Sequence, residues 1–93
     1  MKIEMTRIGI LEKELPPQSR IDYEGAATLD GFLRYLAEEY GPKLTAALFE
    51  KDQLKPHIVI LLNGRSVCAL PEGINSPIKD GDQIVFSIMI DGG

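Results

Sequence analysis

The most apolar extended segment of this 93-residue chain comes late, as Gln83-Ile84-Val85-Phe86-Ser87-Ile88-Met89-Ile90, ahead of Asp91-Gly92-Gly93. A strand that is apolar on both faces needs cover on both and belongs in the middle of a sheet. The first segment is different: Ile3 and Met5 alternate against Lys2, Glu4 and Thr6, the pattern of a strand with one buried face. Parallel pairing of the first and last strands requires a long crossover, and a helix between them supplies it. The chain is therefore predicted to place its last strand centrally, parallel to its first.

The intervening elements fit that plan. After Met5 the apolar phase slips by one residue to Ile8 and Ile10, and Gly9 marks a bulge there. Leu15-Pro16-Pro17-Gln18 reads as a turn, and Arg20–Glu24 as a second strand forming a hairpin with the first. Thr28 is an N-cap candidate with Asp30 in the first helical turn. Leu29, Phe32, Leu33, Leu36 and Tyr40 then make one helical stripe, which Gly41-Pro42 stops. A short second helical segment is expected through Leu44, Ala47 and Leu48. His57–Leu62 reads as an inner strand, Asn63-Gly64 as a type I′ hairpin turn, and Arg65–Leu70 as the returning strand. Lys79-Asp80-Gly81-Asp82 is a turn that launches the last strand. This order predicts an α+β chain with the β-grasp, or ubiquitin-like, architecture. It has a mixed sheet of four to five strands, one main helix packed across it and a short extra helical segment. Residues 1–93 form a single domain on this reading, with 91–93 a flexible C-terminal tail.

Composition narrows the function. With 10 Lys plus Arg against 14 Asp plus Glu, and the basic residues scattered, nothing marks a surface for nucleic acid or anionic membrane. A single cysteine excludes an internal disulfide, a four-cysteine iron–sulfur cluster and a zinc–thiolate site. Alternation from Met1 onward does not resemble a signal peptide, so the expected location is the cytoplasm. Catalysis by the chain's own side chains is not expected. His57 is the lone histidine and is expected to serve structure, Cys68 is expected to pack in the core, and no glycine pattern suits a phosphate. No metal or cofactor is expected on this chain.

Gly92-Gly93 directly behind an apolar strand is the feature that carries chemistry. Without Cβ atoms, two glycines thread a narrow enzyme channel and adopt any φ it imposes. Holding them still costs about 2–4 kcal/mol of backbone entropy, which partner contacts must offset. A terminal carboxylate at Gly93 is ionised at neutral pH and is competent to attack an ATP α-phosphate. Strand parity also suggests a docking face. With Ile84, Phe86, Ile88 and Ile90 toward the helix, Val85 and Met89 face outward beside the 58–62 strand, and Asp91 borders them.

The N-terminal hairpin, the Thr28-Leu29-x-x-Phe32-Leu33-x-x-Leu36 helix, the Asn63-Gly64 hairpin, the Pro77–Phe86 stretch and Gly92-Gly93 together resemble the MoaD/ThiS family of ubiquitin-like sulfur carriers. That resemblance implies a cycle. A ubiquitin-activating-type enzyme, using ATP and Mg, adenylates Gly93, and a persulfide donor converts the acyl-adenylate to a thiocarboxylate. The carrier then delivers sulfur to an acceptor such as the molybdopterin synthase large subunit. An extra segment at about 42–55 favours the molybdopterin-type branch over the more compact thiamine carriers. Molybdopterin-type tails often carry Pro-Pro where Ser87–Asp91 stands here, so the acceptor stays open. It is a molybdenum- or tungsten-cofactor pathway, thiamine or another sulfur pathway, or target lysines if the chain is a protein modifier.

Overall fold

The computed structural model describes residues 1–11, 13–51 and 53–88. Strand β1 (Lys2–Arg7) pairs antiparallel with β2 (Gln18–Asp22), and the helices α1 (Leu29–Tyr40) and α2 (Pro42–Leu48) follow. A small hairpin comes next, β3 (Phe49–Glu50) with β4 (Gln53–Leu54), and then β5 (Ile58–Leu62), β6 (Arg65–Ser66) and β7 (Gln83–Ile88). The main sheet has the order β2-β1-β7-β5-β6. Its last strand lies in the middle, parallel to β1 and antiparallel to β5, as the apolar pattern requires. This is the ubiquitin-like β-grasp, with one main helix and a short second one.

Helix α1 is built from both ends. The Thr28 hydroxyl accepts a bond from Gly31 N at 3.1 Å, and Ser76 O accepts one from Leu29 N at 3.0 Å, which satisfies donors that a helix start leaves open. Gly41, at φ +92°, ends the helix with its amide on Ala37 O, and Pro42 opens α2 at a position where its missing N–H costs nothing. Leu29, Phe32, Leu33 and Leu36 are fully buried against Ile3, Met5, Ile60, Ile84 and Phe86 of the sheet. Leu44 and Leu48 of α2 join the same core on the helix side. Tyr40, expected in the buried stripe, is 38% exposed, since it stands beside Ile21 of β2 at the outer border of the sheet.

One buried carboxylate ties three strands together. Asp82 accepts from Asn63 Nδ2 at 3.0 Å and from Lys79 N at 2.9 Å, and its carbonyl accepts from Glu4 N at 3.0 Å. Asn63 in turn accepts from Gln83 N at 2.9 Å. The turn it occupies has φ +52° at Asn63 and +84° at Gly64, the geometry of the expected type I′ hairpin.

Three expectations are corrected. Where a bulge was expected, β1 ends at Arg7. Ile8 is exposed, and positive φ at Gly9 and Leu11 turns the chain so that Leu11 and Leu15 plug the core instead. The returning strand after Asn63-Gly64 is only Arg65–Ser66. Residues Val67–Ala69 form a 3-10 turn, capped by the Ser66 hydroxyl on Cys68 N, which buries Val67 and leaves Cys68 exposed. The second strand starts two residues earlier than expected, at Gln18.

Gly31 and Tyr23 yield two tests. An alanine Cβ at Gly31 would lie 2.8 Å from both Ala26 O and the Tyr23 hydroxyl. Although alanine gains about 1 kcal/mol of helix propensity, Gly31→Ala should lower stability by about 1–3 kcal/mol. A thermal melt checks the sign. The buried Tyr23 hydroxyl donates to Ala26 O at 2.7 Å, and its pKa is raised by burial first and by the Asp30 charge second. A raised folded pKa means full stability below the ordinary value of about 10 and loss as pH climbs above it, since the unfolded chain ionises first. Alkaline melts should show that decline, and Tyr23→Phe should flatten part of it.

Candidate functional site

Four of the residues singled out in the sequence, Met89, Asp91, Gly92 and Gly93, lie outside the described residues; Val85 lies within them. The structure does establish the platform from which they follow. Because β7 is central, its end at Ile88 lies between two neighbours rather than at a free border. On one side the parallel strand β1 finishes alongside, with Ile8 N donating to Phe86 O at 2.8 Å. On the other, β5 begins, with Ile58 opposite Ile88 and the exposed His57 just before it. Ile8 is 58% exposed and Ile88 37%, so two large apolar side chains stand at this end of β7.

The sheet face away from α1 divides by charge. On β1 and β2 it carries Lys2, Glu4, Arg20 and Asp22, with Arg20 and Glu4 paired at 2.9 Å. On β7 and β5 it carries Val85 beside Thr6 and Leu61, and Ser87 beside Val59, all half-buried. The segment after α1 does not cover this face, because Leu44 and Leu48 anchor it on the helix side. Val85 therefore sits on the face away from α1, where parity puts it, half-buried between Thr6 and Leu61. Ile84 and Phe86 point the other way and are fully buried, whereas Ile88, expected to join them, is exposed at the end of the strand.

No group of three or more His, Cys, Asp or Glu poised for a metal occurs among the described residues. None of their helices is long and apolar enough to cross a membrane.

A family model described as Urm1, ubiquitin related modifier, matches residues 9–93. The chain belongs to the Urm1 family. Small archaeal modifier protein 3 of Haloferax volcanii is 37% identical to it over 67 residues, 72% of this chain and 71% of that protein. The crystal structure of SAMP1 from Haloferax volcanii aligns with a TM-score of 0.77 at 25% identity, covering 100% of both chains. A chain from the complex of subunits 1 and 2 of molybdopterin-converting factor from Helicobacter pylori aligns with a TM-score of 0.60 at 24% identity, again over 100% of both, a likeness of fold alone. The sequence resemblance to ubiquitin-like carriers thus holds at the level of the ubiquitin-like fold and family, and the family that matches is the Urm1 modifiers.

Sequence reasoning missed Ile8 as a border of the site. The signal was present in Ile8-Gly9: an apolar residue next to a glycine marks a strand end as readily as a bulge. As 58% of Ile8 is exposed, Ile8→Asp should shift the melting temperature by only a few degrees. If the exit is a docking surface, the same variant should lose roughly 5–30-fold in binding to the enzyme that acts on the C-terminal glycine. Calorimetry of fold and binding side by side checks both.

Proposed function

We propose that this chain works as a ubiquitin-like modifier whose Gly93 carboxylate is activated by an ATP-dependent, ubiquitin-activating-type enzyme and then joined to lysines of target proteins. The observation that carries the reading is that the Urm1 family match runs through Gly92-Gly93. The central exit bordered by Ile8 and Ile88 supports it. In the first step a Gly93 carboxylate oxygen attacks the ATP α-phosphorus and pyrophosphate leaves, giving an acyl-adenylate. ATP and Mg are held by the activating enzyme, and this chain contributes the substrate. In the second step a lysine amine attacks the acyl carbon and AMP leaves, so that an amide forms and one proton is released.

A second reading shares the first step. The terminal sulfur of a persulfide donor attacks the acyl carbon and AMP leaves, giving an acyl disulfide. A second thiol of the donor then cleaves the S–S bond, leaving a disulfide on the donor and a thiocarboxylate on Gly93, which supplies sulfur for molybdopterin or another sulfur pathway. The resemblance of the Pro77–Phe86 stretch and the Gly-Gly pair to the sulfur carriers favours keeping it. The open strip with Val85 at its centre, continuing toward Met89 and Asp91, is the proposed docking face in either case.

Intact mass spectrometry of the untagged protein, incubated with host extract, ATP, Mg and a sulfur donor, separates the readings. Covalent adducts on larger proteins, absent when Gly93 is deleted, are the expected result. A mass rise matching exchange of one oxygen for one sulfur, equally dependent on Gly93, assigns the carrier role instead. No Gly93-dependent change in the presence of ATP overturns both.

A further inference from the structure

Strand β2 forms one border of the sheet, and tail chemistry does not use it. Tyr23 N donates to Met1 O at 2.8 Å and Arg7 N donates to Pro17 O at 3.1 Å, so the odd-numbered residues 17–23 turn their backbone groups to β1. Those of Gln18, Arg20 and Asp22 point outward, and among the described residues nothing bonds them. An open edge is a template for another strand. Charged side chains on it ordinarily block a second copy by setting like against like.

On this edge one register does the reverse. Glu4 lies opposite Arg20 and Lys2 opposite Asp22, all on the face away from α1. Antiparallel pairing of two β2 strands about a two-fold axis at Ile21 sets Arg20 opposite Asp22 of the second copy. The row across the junction then reads Glu4, Arg20, Asp22, Lys2, alternating negative and positive, and its symmetry mate reads the same. Gln18 falls opposite Glu24, an amide donor against a carboxylate. Sliding the copies by two residues sets Arg20 against Arg20 or Asp22 against Asp22, and sliding by one faces outward-bonding residues with inward-bonding ones. Arg20 bonds Glu4 at 2.9 Å, and Asp22 Oδ1 stands 3.7 Å from the Met1 ammonium. Both side chains remain largely exposed, with further guanidinium donors and a second carboxylate oxygen to offer.

Toward α1 the same register is apolar. Ile21 lies opposite Ile3 within the chain, so the row through the axis reads Ile3, Ile21, Ile21, Ile3. Ile21 is half-buried, and with Tyr35, Tyr40 and the exposed Glu39 it lines a cleft of about 180 Å³ between β2 and α1. Tyr35 is held there on Tyr23 and Phe32, at 5.2 and 6.5 Å between ring centroids. Closing two edges together covers both Ile21 side chains. The net charge of −4 on each copy opposes approach, but physiological salt screens it beyond about 8 Å, whereas the charge row acts at contact.

We infer that the β2 edge binds a second copy of this chain, antiparallel, with Ile21 on the two-fold axis. Arg20 and Asp22 exchange both backbone N–H···O bonds across the junction, and two five-stranded sheets become one. The two β7 strands then run in opposite directions, each separated from the junction by β1 and β2, so pairing is independent of Gly93.

The test is sedimentation equilibrium of the full chain from about 20 μM to 1 mM at physiological salt, beside ¹H–¹⁵N spectra over the same range. A dimer with Kd between about 10 μM and 1 mM is expected of so small an interface. Concentration-dependent shifts should centre on residues 18–24, with slower exchange of the Arg20 and Asp22 amides, and deleting Gly93 should change neither. Arg20→Glu and Asp22→Arg, at exposed positions, should each weaken the dimer at least tenfold and move the melting temperature by only a few degrees. An equimolar mixture of the two variants should dimerise again, because every pair across the junction is once more of opposite sign. The wild-type shifts decide the matter even where a variant fails to fold. A protein that stays monomeric at 1 mM, whatever foreign chain its edge accepts, overturns the proposal. So do shifts centred on Val59, Leu61 and Val85, or folded variants whose mixture remains monomeric. Loss of the dimer on deleting Gly93 overturns it too, and leaves the modifier reading intact.

Discussion

The parallel pairing of β1 with β7, set by Met5 against Ile84 and Thr6 against Val85, is the constraint on which the sheet depends. Until β7 enters, the N-terminal hairpin and the β5–β6 hairpin share no ladder, and the fully buried side of α1 has half a sheet to pack on. Its entry joins the ends of the chain and closes the core around Phe32 and Phe86. Parallel pairing across such a sequence separation carries a loop-closure cost that local contacts do not. Asp82 meets that cost where β7 begins: its two oxygens and its carbonyl bind groups from the 79–82 turn, the β5–β6 turn and β1. A buried carboxylate so fully bonded fixes register, because a one-residue slip would leave it without partners.

The same placement shapes function. Because β7 is central, Ile8, Ile88 and the Val85–Leu61 pair are gathered around its end, the surface on which the proposed function places a partner. Among the described residues, the large hydrophobics left exposed are not scattered. Two border the exit of β7 and the third, Tyr40, borders the β2 cleft. An exposed apolar residue alone signifies little. Here two of the three stand together at the end of β7, and the segment after α1 is held on the helix side by Leu44 and Leu48.

Several elements were legible from local chemistry. The Thr28 cap, the Leu29–Leu36 stripe, the Asn63-Gly64 turn and the Gly41-Pro42 break each rest on contacts within a few residues, and each has the predicted geometry. Misreadings arose where tertiary packing reset the period. Cys68 lies in Val67–Leu70, a short apolar run that looks like a strand, but the Ser66 hydroxyl caps a 3-10 turn there and Cys68 is exposed. Tyr40 continues the helical stripe in sequence but stands at the outer border of the sheet, beside Ile21 of the edge strand β2, and is 38% exposed. The β3–β4 hairpin, two residues on each side, is too short to show a period.

What the sequence determined by itself was the fold class and the central place of the last strand, because an apolar pattern on both strand faces has one stable solution and the helix supplies the crossover that solution needs. It also singled out Gly92-Gly93, the pair behind that apolar strand, as the segment to test. Tertiary structure alone decided which apolar residues stay exposed and what they stand beside. Ile8 by the exit and Tyr40 by the β2 edge are set by where strands end relative to the helix, a distance in space that no sequence spacing encodes.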